Sequence, residues 1–135
     1  TLHHAGEMPL ADFAALPRTT RDILTQITVS KAPRRVVYLS QRNISTDFPV
    51  LTCALGERDG AYICVIGARP MPAVAFADEK GLLAQGITED SARAFAEDIA
   101  ARVELGGNMR ASADYRREIC KVLVRRAAMA LTKEG

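Results

Sequence analysis

Arg58, Asp59 and Gly60 separate the apolar runs Val50–Glu57 and Ala61–Gly67. An Asp-Gly pair in that setting is a strong hairpin signal, because a type I′ turn needs φ > 0 at both central positions and few other pairs adopt it readily. Taking Asp59-Gly60 as the two-residue loop fixes the register: Arg58 pairs with Ala61, Leu55 with Cys64, and Cys53 with Ile66. Alternation then places Leu51, Cys53, Leu55, Tyr62, Cys64 and Ile66 on one face, the expected core face. Cys53 and Cys64 become diagonal neighbours, at about 7–8 Å between Cα atoms. That spacing suits a disulfide poorly, so both read as packed free thiols.

The hairpin has an upstream companion. Arg34–Arg42 carries Val36, Val37, Tyr38 and Leu39, a β-branched and aromatic cluster. Residues 34–77 therefore read as sheet. Further upstream, Pro9, Pro17 and Pro33 punctuate a mixed segment in which Ile23–Val29 alternates enough to suggest one strand ending near Pro33. Residues 78–135 read as helical. A short helix is expected over Asp78–Ala84, stopped by Gly86. Thr88 caps the next, with Glu89 and Asp90 in its first turn where the dipole favours acids. Its apolar stripe is Ala92, Phe95, Ala96, Ile99, Ala100 and Val103, and Gly106-Gly107 ends it. Ser112 caps a last helix to about Thr132, with Tyr115, Ile119, Val122, Leu123, Ala127, Ala130 and Leu131 as its stripe. The expected class is α+β: an antiparallel sheet of three or four strands packed against a layer of two to three helices.

Composition narrows the chemistry. The 135 residues suit one hydrophobic core, and 18 basic against 16 acidic side chains leave a net charge of +2. That balance gives no strong field for nucleic acid or an anionic membrane. No apolar run reaches the ~18–20 residues of a membrane span, and no secretory leader is visible. Three cysteines without C-x-x-C spacing argue against a disulfide framework or zinc site and point to a reducing cytoplasm.

Each candidate constellation has a plainer explanation. His3-His4, the two histidines of the chain, read as an N-terminal tail, which removes His-based triads and zinc hydrolysis. Gly106-Gly107 lacks the G-x-x-x-x-G-K-[ST] pattern of a phosphate loop. Arg117, Lys121 and Arg125, at i, i+4 and i+8, form a basic stripe that reads first as a solvated face with Asp114–Arg117 and Glu118–Lys121 pairs, and second as a surface for an acidic partner. Asp78, Glu79, Glu89 and Asp90 read as helix-start acids. Tyr38, Tyr62 and Tyr115 read as core. No catalytic residue and no metal ligand emerges; the chain looks like a covering or scaffold domain.

Two motifs carry a resemblance. Gly67-Ala68-Arg69-Pro70-Met71-Pro72-Ala73-Val74-Ala75, followed by Glu79 and Leu82-Leu83, is similar to the glycine–proline segment of the carbon monoxide dehydrogenase flavoprotein C-terminal family. Asn108-Met109-Arg110-Ala111-Ser112-Ala113-Asp114-Tyr115-Arg116-Arg117, followed by Val122-Leu123-Val124-Arg125-Arg126, resembles that family's closing helix with its Arg-x-Ser-x-x-Tyr-Arg signature. Upstream, Pro9-Leu10-Ala11-Asp12-Phe13 and Asp22-Ile23-Leu24-Thr25-Gln26-Ile27 resemble the end of the family's FAD-binding domain.

The resemblance implies that residues 1–33 are the tail end of a FAD-binding domain and 34–135 the flavoprotein C-terminal domain. It implies the FAD subunit of a molybdenum hydroxylase of the xanthine and carbon monoxide dehydrogenase kind. Electrons would pass from a molybdopterin-binding subunit through a 2Fe–2S subunit to FAD, in the cytoplasm, with no nucleic acid, no membrane span and room for an oligomer. Ile23, Leu24, Arg42 and Asp47 fall at positions that line the flavin. Two departures stand out. The family's glycine-rich loops for the FAD pyrophosphate are not in this sequence, and Leu39-Ser40 stand where the family often carries a lysine. FAD is therefore expected in the complete subunit rather than on this chain alone. The alternative is a stand-alone interaction module that kept the fold and lost the flavin.

Overall fold

The structure, a computed structural model, describes residues 1–31 and 35–132. It divides into two compact units, Thr1–Pro33 and Arg34–Gly135.

In the first unit, α1 (Leu10–Ala15) is a six-residue helix that the proline punctuation concealed. The N-terminus is tied down rather than a loose tail: the His3 amide donates to the Ile23 carbonyl at 2.9 Å, and Leu2 bridges to Leu24. Asp22 anchors this turn by accepting from the amides of His4, Ala5 and Ile23. Desolvation would raise its pKa, but those amides outweigh it and hold the carboxyl below its usual range. The strand expected over Ile23–Val29 does not form. Only Leu24 makes a ladder contact, and Ile23, Ile27 and Val29 stay exposed, because alternation alone does not supply a partner strand. The expected strand end at Pro33 lies outside the described residues.

In the second unit the Asp-Gly reading holds in detail. β1 (Arg35–Gln41), β2 (Leu51–Arg58), β3 (Ala61–Gly67) and β4 (Val74–Ala77) form one antiparallel sheet in the order β1-β2-β3-β4. Arg58 pairs with Ala61, Leu55 with Cys64 and Cys53 with Ile66. Asp59 and Gly60 have φ of 52° and 79°, as a type I′ turn demands. Glu57 steadies the turn by accepting from the Gly60 amide and from Arg35 Nε, both at 2.9 Å. Those two contacts, the amide first, hold its carboxyl below the usual range.

The inner face carries Val37, Leu51, Cys53, Leu55, Cys64 and Ile66, all buried against α2 (Glu89–Arg102) and α3 (Ala113–Leu131). The α2 stripe is buried as the periodicity requires, from Ala92 through Ala100, and Val103 follows it into the core. Thr88 caps α2 reciprocally with Ser91. Cys53 and Cys64 sulfurs lie 3.8 Å apart, unbonded and fully buried. Contact with Cys53 and then burial push the Cys64 thiol far up, and burial pushes Cys120 up to about 12.

Several expectations fail for local reasons. Asp78–Ala84 is a run of turns, not a helix. Asp78 accepts from the Leu82 and Leu83 amides, and Gly81 sits at φ 62°, which breaks helical continuity. Helix α2 stops at Arg102, before Gly106-Gly107, because Val103 turns extended to reach the core. On α3 the buried set is Arg116, Cys120, Leu123, Val124, Ala127, Ala128 and Leu131; of the expected stripe Leu123, Ala127 and Leu131 are buried and Ile119 and Ala130 pack partly against the core, while Tyr115 falls one residue to the side of Arg116. Tyr115 is consequently 44% exposed. Tyr38 stands on the outer sheet face, 59% exposed, rather than in the core. The basic stripe on α3 faces α2 and is spent there: Arg117 donates to the Ala100 carbonyl, Lys121 pairs with Glu97 and Glu118, and Arg125 pairs with Glu89. Arg117 thus takes a carbonyl on α2 in place of the expected Asp114.

Candidate functional site

Antiparallel hairpins place the β1–β2 connection (residues 42–50), the β3–β4 connection (68–73) and the α2–α3 connection (103–112) where backbone groups lack ladder partners. Arginines satisfy them. Arg116, in the first turn of α3, is only 1% exposed. Its Nε donates to the Val50 carbonyl at 2.9 Å, its Nη1 to the carbonyls of Gly106 (2.9 Å) and Ala111 (2.6 Å), and its Nη2 to Asn108 Oδ1 at 2.7 Å. The planar fork suits four acceptors that a lysine ammonium cannot reach together. Burial, then the neighbouring Arg110 charge, hold Arg116 below the ordinary guanidinium value, yet it stays a cation. Arg69 does the same for the third connection, donating to the carbonyls of Pro72 (2.8 Å) and Glu104 (2.7 Å).

On this frame sit two of the four residues expected at the site. Arg42 Nη1 donates to the Asp47 carbonyl at 2.6 Å and closes the β1–β2 connection on itself. The Asp47 carboxylate accepts from the Phe48 amide and pairs with Arg110 Nε at 3.5 Å. That separation is too long for a good hydrogen bond, and Arg110 Nε is left as a buried donor without an acceptor. Arg110 lies over the Phe48 ring, 5.5 Å from its centroid. Around this group Phe48 (75%), Ile44 (65%) and Met109 (95%) expose their apolar side chains. The result is an apolar surface edged by two guanidinium groups and one carboxylate. Chemically it can cover a flat, partly polar ring and offer N–H donors to its edge; it holds no nucleophile–base pair. Among the described residues no cluster of His, Cys, Asp or Glu could hold a metal ion.

The other two expected residues, Ile23 and Leu24, belong to the first unit. Ile23 is 68% and Leu24 48% exposed. Leu24 borders an open pocket of about 280 Å³ with Leu2, Phe13 and Leu16. The structure therefore joins Arg42 with Asp47 and sets Ile23 beside Leu24.

Sequence reasoning missed the roles of Arg116, Arg110 and Arg69. The signal was present in Arg110-x-Ser112-x-x-Tyr115-Arg116: the first arginine meets Asp47, the serine caps α3, and the last arginine gathers the loops. Nothing in the structure explains Tyr115. The extended Gly67 has a visible cause, since a Cβ there would stand 2.6 Å from Thr52 Oγ1.

Comparison with solved structures finds the same fold elsewhere. The chain aligns with quinoline 2-oxidoreductase from Pseudomonas putida 86 at a TM-score of 0.61 and 16% identity, covering 76% of this chain and 38% of that one. It aligns with carbon monoxide dehydrogenase from Hydrogenophaga pseudoflava, in a form lacking the Mo-pyranopterin moiety of the molybdenum cofactor, at a TM-score of 0.62 and 22% identity, covering 78% and 40%. The chain thus spans about two fifths of the solved chains it matches. No curated protein sequence matches it. Residues 38–131 match the CO dehydrogenase flavoprotein C-terminal domain, a span that includes all three connections and the whole Arg-x-Ser-x-x-Tyr-Arg segment, so this chain belongs to that family.

Proposed function

We propose that this chain is the C-terminal portion of the FAD-binding subunit of a molybdenum hydroxylase-type dehydrogenase, walling the flavin and supporting electron transfer from iron–sulfur clusters to FAD. The family match over residues 38–131 carries this reading and favours it over a stand-alone interaction module. Residues 1–33 are then the end of the FAD-binding domain and 34–135 the C-terminal domain. The partners are a molybdopterin-binding subunit and a 2Fe–2S subunit. Three free, buried cysteines support a reducing, cytoplasmic setting. No helix among the described residues is long and apolar enough to cross a membrane.

The residues present fit a flavin ring and not its pyrophosphate. Ile44, Phe48 and Met109 supply an apolar wall, Arg42 supplies an exposed donor, and Arg110 Nε is a buried donor awaiting an acceptor. When bound, FAD supplies two-electron and one-electron redox chemistry. This chain's own part is to exclude water with the apolar wall, to orient the ring edge with Arg42 and Asp47, and to add the side chains of Ile23 and Leu24 to the lining. Tight binding of the pyrophosphate belongs to the rest of the subunit.

The test is to purify the complete subunit, measure its visible flavin absorbance, and repeat with Arg42→Ala and Asp47→Ala. The subunit is expected to retain flavin, and the two variants to bind it more weakly with a shifted spectrum. The 135-residue chain alone is expected not to retain FAD. Stoichiometric tight binding by the chain alone, or a complete subunit that never holds flavin, overturns the proposal.

A further inference from the structure

The two edges of the sheet differ. A two-residue turn makes Arg58 and Ala61 a hydrogen-bonded pair, and bonding then alternates along each strand. Gly56, Ala54 and Thr52 therefore bond toward β3, while Glu57, Leu55, Cys53 and Leu51 bond toward β1. Two contacts at the ladder ends agree with this parity. The Val50 amide donates to the Gln41 carbonyl at 2.7 Å, and the Asp78 amide to the Tyr62 carbonyl at 3.1 Å. On β1 the main-chain groups of Val36, Tyr38 and Ser40 consequently point away from β2, to the open edge. On β4 those of Ala75 and Ala77 do so.

The β4 edge is guarded. It is four residues long, Pro72 precedes it, and Arg102 Nη1 donates to the Ala77 carbonyl at 3.2 Å. These are common devices against the addition of another strand. Strand β1 has none of them. It runs seven residues in one-to-one register, with no bulge and no proline. Its one charge, Arg35, is engaged inward, with Nε on Glu57 at 2.9 Å and Nη1 on the Leu131 carbonyl at 3.4 Å. Among the described residues nothing hydrogen-bonds to the outward main-chain groups of Val36, Tyr38 and Ser40.

We propose that the open β1 edge is a homodimer surface. A second copy's β1 adds to it antiparallel, about a two-fold axis at Tyr38, and joins the two four-stranded sheets into one. The edge is complementary to itself in that register. Val36 faces the second copy's Ser40, Tyr38 faces the second copy's Tyr38, and Ser40 faces the second copy's Val36. Each pair exchanges two main-chain bonds, so every outward donor and acceptor on β1 is met. On the inner face Val37 lies opposite the second copy's Leu39, which extends the apolar core. Arg35 lies opposite the second copy's Gln41, so no like charges face each other along β1. A two-fold interface requires this self-complementarity, and it is what favours a second copy over an unrelated strand. The contact is small. Seven residues span about 24 Å, and an edge about 10 Å thick gives on the order of 240 Å² per copy. That lies below the about 800 Å² per side of a stable interface, so the dimer forms and dissociates with concentration. The inference stands apart from the flavin reading, for association is measured without reference to flavin.

Sedimentation equilibrium of the complete subunit over a wide concentration range tests this, with amide hydrogen exchange as the residue-level reading. A monomer–dimer equilibrium is expected. The Val36, Tyr38 and Ser40 amides should gain protection as the dimer forms, while those of Val37 and Leu39, bonded to β2, stay protected throughout. Because residue 38 faces itself, Tyr38→Lys and Tyr38→Glu should each weaken dimerisation about tenfold or more, and an equal mixture of the two should restore it. Tyr38 is exposed, so both variants should keep the wild-type Tm. A subunit that stays monomeric throughout overturns the proposal. So does a dimer that neither variant weakens, or a mixture as weak as each variant alone. Protection of the Tyr38 amide in the monomer means that another segment of the subunit occupies the edge, and overturns it too. Should a variant misfold, the concentration dependence of wild-type exchange decides alone: protection of the three edge amides that does not rise with dimer overturns the assignment.

Discussion

Replacing Arg116 with Met removes a buried guanidinium while keeping an apolar stem of similar length. The Val50 carbonyl it serves is buried, and an orphaned buried acceptor costs about 1–3 kcal/mol. Gly106, Ala111 and Asn108 are partly buried, and each loses a bond worth about 0.5–1.5 kcal/mol. Against that sum stands the desolvation of a cation that no longer has to be buried without a carboxylate partner. The net loss is about 3 kcal/mol. For a unit of roughly 100 residues that lowers Tm by roughly 10–20 °C. Urea unfolding of the 135-residue chain followed by far-UV circular dichroism reads the loss directly, with the slope m unchanged. Arg116→Lys keeps the charge and loses the fork, so it should fall between wild type and Met. Arg110→Met is the control, because an ion pair at a half-exposed site is worth under about 1 kcal/mol. If Arg116→Met costs no more than Arg110→Met, the view that Arg116 holds two of the three connections in place is wrong.

Asp59→Pro should destabilise by more than about 1 kcal/mol, since Pro cannot adopt the φ of 52° found there; an unchanged Tm would reject the turn. Gly67→Ala should cost about 1–3 kcal/mol through the clash with Thr52 Oγ1, and Thr52→Ala should restore most of it in a double-mutant cycle; additive losses would refute the contact. The three buried thiols should resist a water-soluble disulfide reagent in native buffer and all react in denaturant, with the raised pKa values of Cys64 and Cys120 adding to the protection of those two; rapid labelling of any one in native buffer contradicts the packing. Asp98 should give the chain an acid-sensitive limb. Its bond from Lys80 comes first, burial opposes it, the bond from Arg102 follows, and the net effect holds the carboxyl below its usual range. A folded-state pKa below the unfolded value of about 3.9 means stability fully present above that pH and lost as pH falls through the folded value. Asp98→Asn should flatten this limb below about pH 4, and identical acid limbs in both proteins would discard the linkage.

Legibility followed the range of the interactions. The hairpin and both long helices were readable because their determinants sit within a few residues: Asp59-Gly60 for the turn, and the hydroxyl caps Thr88 and Ser112 for the helix starts. The failed strand over Ile23–Val29 needed a distant partner, which alternation cannot reveal. The turns at Asp78–Ala84 mimicked a helix because an aspartate binding amides four and five residues on resembles a cap. Arg42 and Asp47, named through the resemblance rather than from local pattern, meet across five residues. Arg116 reaches Val50 across 66 residues, and a charged residue on an amphipathic helix reads as surface until its acceptors are known.

That last point also explains why the candidate site lies where it does. A hairpin sheet ends in connections whose carbonyls have no ladder partner, and the buried ones must be satisfied. Here cations satisfy them, Arg116 for two connections and Arg69 for the third. A buried cation served only by neutral acceptors keeps its charge uncompensated, and in a low-dielectric interior its field extends further than in water. Arg110 adds a second, partly paired cation, and among the described residues Asp47 is the one carboxylate that pairs with either of them. The structural solution to loop satisfaction therefore leaves this end of the sheet electropositive beside an exposed apolar surface. Such a surface favours a flat ligand that gains negative charge when reduced, so the packing chemistry and the proposed function have one origin.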